Sequence, residues 1–245
     1  MNNHMAHDAS SPPNQLLAEL HADEGQRWAP QLQWVPLCAG QVLCESGDTP
    51  DFVHFPTSAV VSLMSSTRDG GSAELVVVGH DGMIGIAVFM GGNAMPCAAV
   101  VQTGGLALRL RAPTLKSLLQ CSVPTLQVLL RYAQALTAQV AQTALCNRYH
   151  TIDQQLSRRL LLGFDRSADD VLSMTHEDAA RLLGVRREGI SAAAQRLQQG
   201  GVIHYQRGRI RMLDRARLEQ RACECYASVA KEHARLLPRR EALAA

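Results

Sequence analysis

Two groups of residues have the types and spacing to do chemistry. The first is a polar run, Arg186, Arg187, Glu188, Ser191, Gln195 and Gln199. Arginine offers a forked pair of donors that matches phosphate oxygens or guanine O6 and N7. Glutamate accepts from cytosine N4, and glutamine reads adenine. The second group, Cys223-Glu224-Cys225 with His233, contains metal-ligand types. On a continuous helix residues two apart point about 200° from each other, so this spacing predicts no shared ion. No metal, cofactor or catalytic group is expected.

The polar run lies within a pattern that would hold it rigidly. Thr175-His176-Glu177-Asp178 pairs a side-chain oxygen at a helix start with an acid three residues on, a capping box with Asp in place of Glu. The helix runs to Leu183 and is stopped by Gly184. A second helix restarts at Arg187 and runs to Gln199, where Gly200-Gly201 ends it. The spacing of Ala180, Gly184 and Ile190 suits a helix-turn-helix: a small residue for close approach, a turn glycine and an apolar wedge. Ile190, Ala193, Ala194 and Leu197 share the inner face, leaving Glu188, Ser191, Ala192, Gln195 and Gln199 outside. Val202–Tyr205 and Arg209–Met212 flank Gln206-Arg207-Gly208 as a hairpin wing. Arg207 and Arg209 on the wing, with Ser173 and Thr175 at a helix start, are candidates to touch phosphates.

Upstream the pattern changes twice. From Gln33 to Leu110, short β-type runs are punctuated by Gly, Pro and Asp, as in a sandwich or roll, with Asp69-Gly70-Gly71-Ser72 as a hairpin tip and a small helix before it near Asn14–Leu20. Between Pro113 and Phe164 Gly is rare and Pro124 is the single internal proline. Leu126, Leu129, Leu130, Ala133, Leu136, Val140 and Ala144 recur at helical spacing, which predicts a long helix burying one face, best on a partner helix in a homodimer. The expected class is α+β: a roll over 14–112, a long connecting and dimerisation helix over 113–147, a winged helix-turn-helix over 148–221 and a C-terminal helical extension over 222–245.

Charge supports the division. Up to Asn147 there are 6 Lys and Arg against 10 Asp and Glu; from Arg148 onward there are 18 against 12, nearly all the basic residues being arginine. A polyanionic partner for the C-terminal half, double-stranded DNA, follows. The polar start Met1–Pro13 has no secretory pattern and no apolar run reaches the roughly 20 residues of a membrane span, so the cytoplasm is expected. The seven scattered cysteines suit reduced thiols. A cupin-like enzyme would need a His and carboxylate cluster on the strands, where only His54 and His80 stand, far apart in sequence.

The order of roll, long helix and winged helix-turn-helix resembles the Crp/Fnr family, that of the cyclic-AMP receptor protein and the fumarate and nitrate reduction regulator. The resemblance covers about Asn14 to Leu218 and is most specific over Met174–Leu213, above all Leu183-Gly184-Val185-Arg186-Arg187-Glu188-Gly189-Ile190. It implies a DNA-binding regulator whose Arg187 and Glu188 read bases; the family's third base-reading arginine falls on Ala192. Pro36–Gly47, Phe52–Pro56 and Gly82-Met83-Ile84-Gly85 resemble parts of the family's sensor roll. Its ribose-binding Glu falls on Ile86 and its phosphate-binding Arg-Ser on Pro96-Cys97, so tight cyclic-AMP binding is not expected. Cyclic di-GMP, a redox signal or an apolar metabolite stand as alternative signals. Cys38 and Cys44 cannot supply the four thiolates of an iron-sulfur cluster, and His54, His80 and His150 are isolated as haem ligands. A signal on the roll, or a partner such as RNA polymerase, would tilt the paired long helices and respace the reading heads.

Overall fold

The computed structural model describes residues 13–20, 29–167 and 170–238; most of the polar start and the end of the expected extension lie outside them. After a helical segment α1, residues 15–20, come strands β1 (Gln33–Leu37), β2 (Val42–Cys44), β3 (Phe52–Pro56), β4 (Val60–Ser66) and β5 (Ser72–Val78), a short helix α2 (Ala87–Met90), then β6 (Ala98–Thr103) and β7 (Gly105–Arg111). All pair antiparallel, in one sheet ordered β1-β7-β3 and another ordered β2-β6-β4-β5. The β4–β5 hairpin closes at the expected Asp69-Gly70-Gly71 tip, where Gly70 has φ +91° and Thr67 N–H donates to Gly71 O (2.8 Å). Val53, Phe55, Val61, Val76, Met83, Ala99 and Leu110, all buried, fill the space between the sheets.

The Gly82–Gly85 segment is fastened from two sides. Asn14, wholly buried, donates through Nδ2 to Pro56 O and Gly82 O (2.8 Å each). The Tyr132 hydroxyl donates to Met83 O (2.8 Å) and accepts from Met83 N–H (2.9 Å). A side chain at Gly82 would collide with the Tyr132 ring, a Cβ falling 2.4 Å from its oxygen. Tyr132 lies on the long helix, so this loop is a latch between roll and helix.

The helical stretch after the roll is three helices, α3 (Ala112–Cys121), α4 (Val123–Tyr149) and α5 (Ile152–Arg166), rather than one continuing through 122. Ser122 has extended backbone (φ −142°) and caps α4 by accepting from Thr125 N–H, and Pro124 stands in the first turn of α4, where its missing N–H costs nothing. Thr151 and Gln154 form a capping box that starts α5. The expected α4 stripe divides. Leu129, Ala133 and Leu136, with Val128 and Tyr132, are buried within this chain. Leu130 (49% exposed), Val140 and Ala144 lie on the open side with Val123, Leu145 and Tyr149.

Helix α5 carries three buried arginines. Arg158 donates to Thr143 of α4 (2.9 Å), Arg159 pairs with Glu74 of β5 (2.6 Å) and Arg166 with Asp81 (3.0 Å). Glu74 also accepts from Ser62 of β4. Burial alone would raise the Asp81 carboxyl, but the charges of Arg166 and His233 outweigh it and hold the group below its ordinary value. The final helices are α6 (His176–Leu183), α7 (Arg187–Gln199), α8 (Arg215–Arg221) and α9 (Cys225–Leu236), with strands β8 (Val171–Ser173), β9 (Ile203–Gln206) and β10 (Arg209–Met212). Helix α9, in the expected C-terminal helical extension, packs along α4, and its Val229 joins Val60, Val77 and Leu162 in a small core between roll and α5. Among the described residues no helix is long and apolar enough to cross a membrane.

His54 on β3 is buried opposite Arg109 of β7, and burial first, then that charge, lower its pKa to about 4. It folds neutral, whereas the unfolded chain protonates it near pH 6.5. Its contribution is whole above that pH and is lost as pH falls toward 4, up to about 3 kcal/mol. Urea midpoints should therefore drop between pH 7 and 5, and His54→Gln should flatten that part of the dependence.

Candidate nucleic-acid interface

The α6–α7 pair forms from local signals. Thr175 is the N-cap of α6: its hydroxyl accepts from Asp178 N–H (3.1 Å), and Asp178 Oδ2 accepts from Thr175 N–H (3.0 Å). Gly184 caps the C-terminus in the left-handed region (φ +65°), where a side chain is strained. Val185 N–H reaches back to Ala180 O (3.1 Å), closing the turn. Ala180 and Ile190 are 5% and 1% exposed, as a close helix crossing and its wedge require. The inner face of α7, Ile190, Ala193, Ala194 and Leu197, is buried on α5 and α6. Arg196 grips Asp153 at the start of α5 with two bonds (2.7 and 2.6 Å), and the same contact holds that carboxyl below its ordinary range.

The wing is built as expected. β9 and β10 pair across the two-residue turn Arg207-Gly208, both with positive φ (49° and 75°), the mirror-type turn that suits hairpin twist. β8 adds a third strand on the other side of β10, and Gly208 O accepts from Met174 N–H (2.7 Å), so the wing tip rests on the start of α6.

Arg186, Arg187, Glu188 and Gln195 are exposed along one side of α7, with Gln199 at its end. Ser173, Thr175, Arg207 and Arg209 are exposed beside the wing and border a cleft of about 440 Å³ whose far wall is Gly40 and Gln102 of the roll. Two of the expected contacts have local employment. Ser191 is half-buried, because it borders the Ile190 wedge and faces α6; its hydroxyl shares a hydrogen bond with His176 Nδ1 (2.9 Å). The Thr175 hydroxyl serves the cap. His176 stacks on Tyr205 of the wing (centroids 4.5 Å apart, planes 16°), and burial, then the Arg187 charge, keep the imidazole below its usual pKa. The sequence reading missed this Ser191–His176–Tyr205 stack; an aromatic on the wing's first strand was the available signal. It also missed exposed Arg181, which lines the same cleft.

The other candidate chemistry is arranged differently from the helical expectation. Cys223 precedes α9 and Cys225 is its first residue, so the two thiols do not diverge by helical rotation. Both lie with Cys146 and His150, whereas His233 faces Asp81 (3.6 Å). Cys146, His150, Cys223 and Cys225 are the residues with the types to hold a metal. The two histidines of the strand region do not form such a group: His54 is buried in β3, and His80 Nδ1 lies 3.4 Å from Arg166 O.

Comparison with known proteins matches residues 154–221 to the Crp-like helix-turn-helix domain and residues 34–122 to the cyclic nucleotide-binding domain. No curated protein matches in sequence. Among solved structures, FixK2 from Bradyrhizobium japonicum is similar at 15% identity, covering 78% of this chain and 98% of that one, with a TM-score of 0.68. A CRP-family transcriptional regulator from Thermus thermophilus is 18% identical over 77% and 96% of the two chains, with a TM-score of 0.64. The c-di-GMP-responsive global regulator CLP of Xanthomonas campestris is 16% identical over 79% and 99%, with a TM-score of 0.60. At these identities the likeness is one of fold.

The capping box makes Thr175 a structural residue whatever else it touches. Thr175→Ala should lower unfolding free energy by about 1 kcal/mol, and Ser173→Ala, whose side chain caps no helix, by less than about 0.5 kcal/mol. Chemical denaturation of the two variants checks this, and equal losses would remove the distinction.

Proposed function

The chain belongs to the Crp/Fnr family of transcriptional regulators, and from that premise we propose that it acts as a homodimer presenting two α7 helices to a pseudo-palindromic DNA site. The observation that carries the reading is the outer side of α7. Arg186, Arg187, Glu188 and Gln195 stand exposed there, and the elements α7 packs on, α5, α6 and β9, lie on its other side. Arg187 and Glu188 read base edges in the major groove, Arg186 and Gln195 support them, and Arg207 and Arg209 on the wing hold phosphates with Ser173 at the α6 start. Ser191 serves this surface through His176, which its hydroxyl orients against the wing, and Thr175 by fixing the α6 terminus beside the phosphates.

The dimer forms through the open face of α4. Val123, Leu130, Val140 and Leu145 are 66%, 49%, 36% and 44% exposed, an apolar face that a second α4 would cover. Two heads so paired sit about 34 Å apart, one helical turn of DNA. The protein works in the cytoplasm, where its DNA is, and without catalysis. Regulation is positional: a signal on the roll, or contact with RNA polymerase, changes the tilt of the α4 pair. Ile86, Pro96 and Cys97 stand where the family holds the ribose and phosphate of cyclic AMP, and none supplies a charge, so that nucleotide is not the signal.

Genome-wide immunoprecipitation yields the site, and gel shifts on that site and on random DNA then separate the roles. Arg187→Ala should cost about 1–3 kcal/mol on the site alone, erasing discrimination. Arg207→Ala should weaken both DNAs alike and reduce the salt slope by about one. An equal loss on both DNAs for Arg187→Ala would sink the assignment of α7 as the reader.

A further inference from the structure

Three thiols and an imidazole converge where the long helix ends. Cys146 is in the last turn of α4 (Val123–Tyr149), and His150 is the C-cap of that helix, its backbone N–H donating to Cys146 O (3.1 Å). Cys223 and Cys225 bracket the start of α9, which packs along α4. The Cys146 and Cys223 sulfurs are 3.5 Å apart, as are the Cys225 sulfur and His150 Nδ1. All four ligand atoms lie within 4.8 Å of one another. Cys146 and Cys225 are 0% exposed and Cys223 5%.

A single tetrahedral ion with bonds of about 2.3 Å to sulfur and 2.0–2.1 Å to nitrogen needs its ligands roughly 3.4–3.8 Å apart. The cluster is close to that spacing. It is too tight for an iron-sulfur cluster, whose thiolates sit around several irons. The atoms around the ligands also suit a metal. His150 Nε2, pointing away from the thiols, is 3.2 Å from Glu224 Oε1, the carboxylate–histidine pairing that fixes a metal-bound imidazole. Gln142 Nε2 donates to the Cys225 sulfur (3.1 Å), and Gln155 Nε2 donates to His150 O (2.8 Å), holding the helix end in place.

We propose that Cys146, His150, Cys223 and Cys225 bind one zinc ion in a closed Cys3His site that pins the start of α9 to the end of α4. Thiolates select a soft or borderline ion over magnesium or calcium. Four protein ligands leave no open position, so the ion is structural rather than hydrolytic. Binding converts the thiols to thiolates and releases their protons to solvent, with no change of oxidation state. The consequence is mechanical, because the site abuts the His150-Thr151 junction between α4 and α5, through which the reading head hangs from the long helix. The site does not depend on how the protein meets DNA, and its test reads metal directly.

Full-length chain purified with reductant and without chelator should carry one zinc per chain by elemental mass spectrometry. Cobalt(II) chloride added to the metal-stripped chain should give the intense visible bands of tetrahedral cobalt and a thiolate charge-transfer band. Cys223→Ser and Cys225→Ser should each abolish that charge-transfer intensity in part and weaken zinc binding, while Cys38→Ser, an exposed cysteine of the roll, leaves both intact. Glu224→Gln should keep the stoichiometry and weaken affinity by about 10–100-fold. The weak spectrum of octahedral cobalt with substoichiometric zinc would overturn the proposal. So would a Cys146–Cys223 disulfide in protein taken from reducing cells under nitrogen. Should the thiol variants fold poorly, the cobalt spectrum of the unmodified chain still decides.

Discussion

A guanidinium buried in protein keeps its charge, and the arrangement of this molecule depends on that constraint. Helix α5 places Arg158, Arg159 and Arg166 at 4%, 2% and 6% exposure, and each must find oxygen. The partners come from three places: Thr143 on α4, Glu74 on β5 and Asp81 in the loop beyond β5. The two ion pairs to the roll, Arg159–Glu74 and Arg166–Asp81, add little net stability over an apolar contact, but separating one leaves a buried charge alone at a cost of about 3–5 kcal/mol. They therefore select one docking of the reading head on the roll out of the many that apolar contact would allow. The backbone is shaped for it: a side chain at Gly79 would come within 2.6 Å of Arg166 O, so glycine admits the end of α5 to the roll.

That docking sets what a signal must overcome. The turn at Gly184 rests against Ser72 and Ala73 of the β4–β5 hairpin, and the wing root faces Gly40 and Gln102 across a cleft. α7 faces outward while the wing shares its approach with the roll. An effector shifts such an equilibrium only by its differential affinity for the two arrangements. The Gly82–Gly85 loop is the part of the roll tied to the long helix, because displacing it breaks both hydrogen bonds of Tyr132 or moves α4 with it. Burial of Tyr132 raises its phenol well beyond the ordinary value, keeping the hydroxyl protonated and able to donate to Met83 O.

What was legible in the sequence follows the range of the interactions. The helix-turn-helix and wing depend on residues within a few positions: the Thr175–Asp178 box, a turn needing φ +65° at Gly184, Ile190 at its spacing, and Arg207-Gly208 between two short runs. The break at Ser122 was equally local, since Pro124 marks a helix's first turn better than its middle, but the apolar periodicity on either side obscured it. The Arg159–Glu74 pair was illegible, because nothing in the alternation of β5 says that one polar position will meet a helix far along the chain. The same holds for Cys223 and Cys225. Their divergence followed from assuming one helix through both, and the structure begins α9 only at Cys225.

The long helix shows how these parts combine. At 27 residues, α4 is about 40 Å long, more than the roll can cover. The roll takes Val128, Leu129, Tyr132 and Leu136 in its first half. Helix α9 takes the second half through Gln142 and Cys146, and meets α5 through Tyr226, whose hydroxyl donates to Asp165 (2.8 Å) and accepts from Arg215 (2.7 Å). Both covers lie on one side of α4. The opposite side keeps Leu130, Val140 and Leu145 in solvent at substantial apolar cost, so the face that α9 and the roll leave open is the one where covering by a second chain gains most. Helix α9 thereby braces α4 against α5 on the covered side, so that packing as well as the chain itself holds the junction at His150.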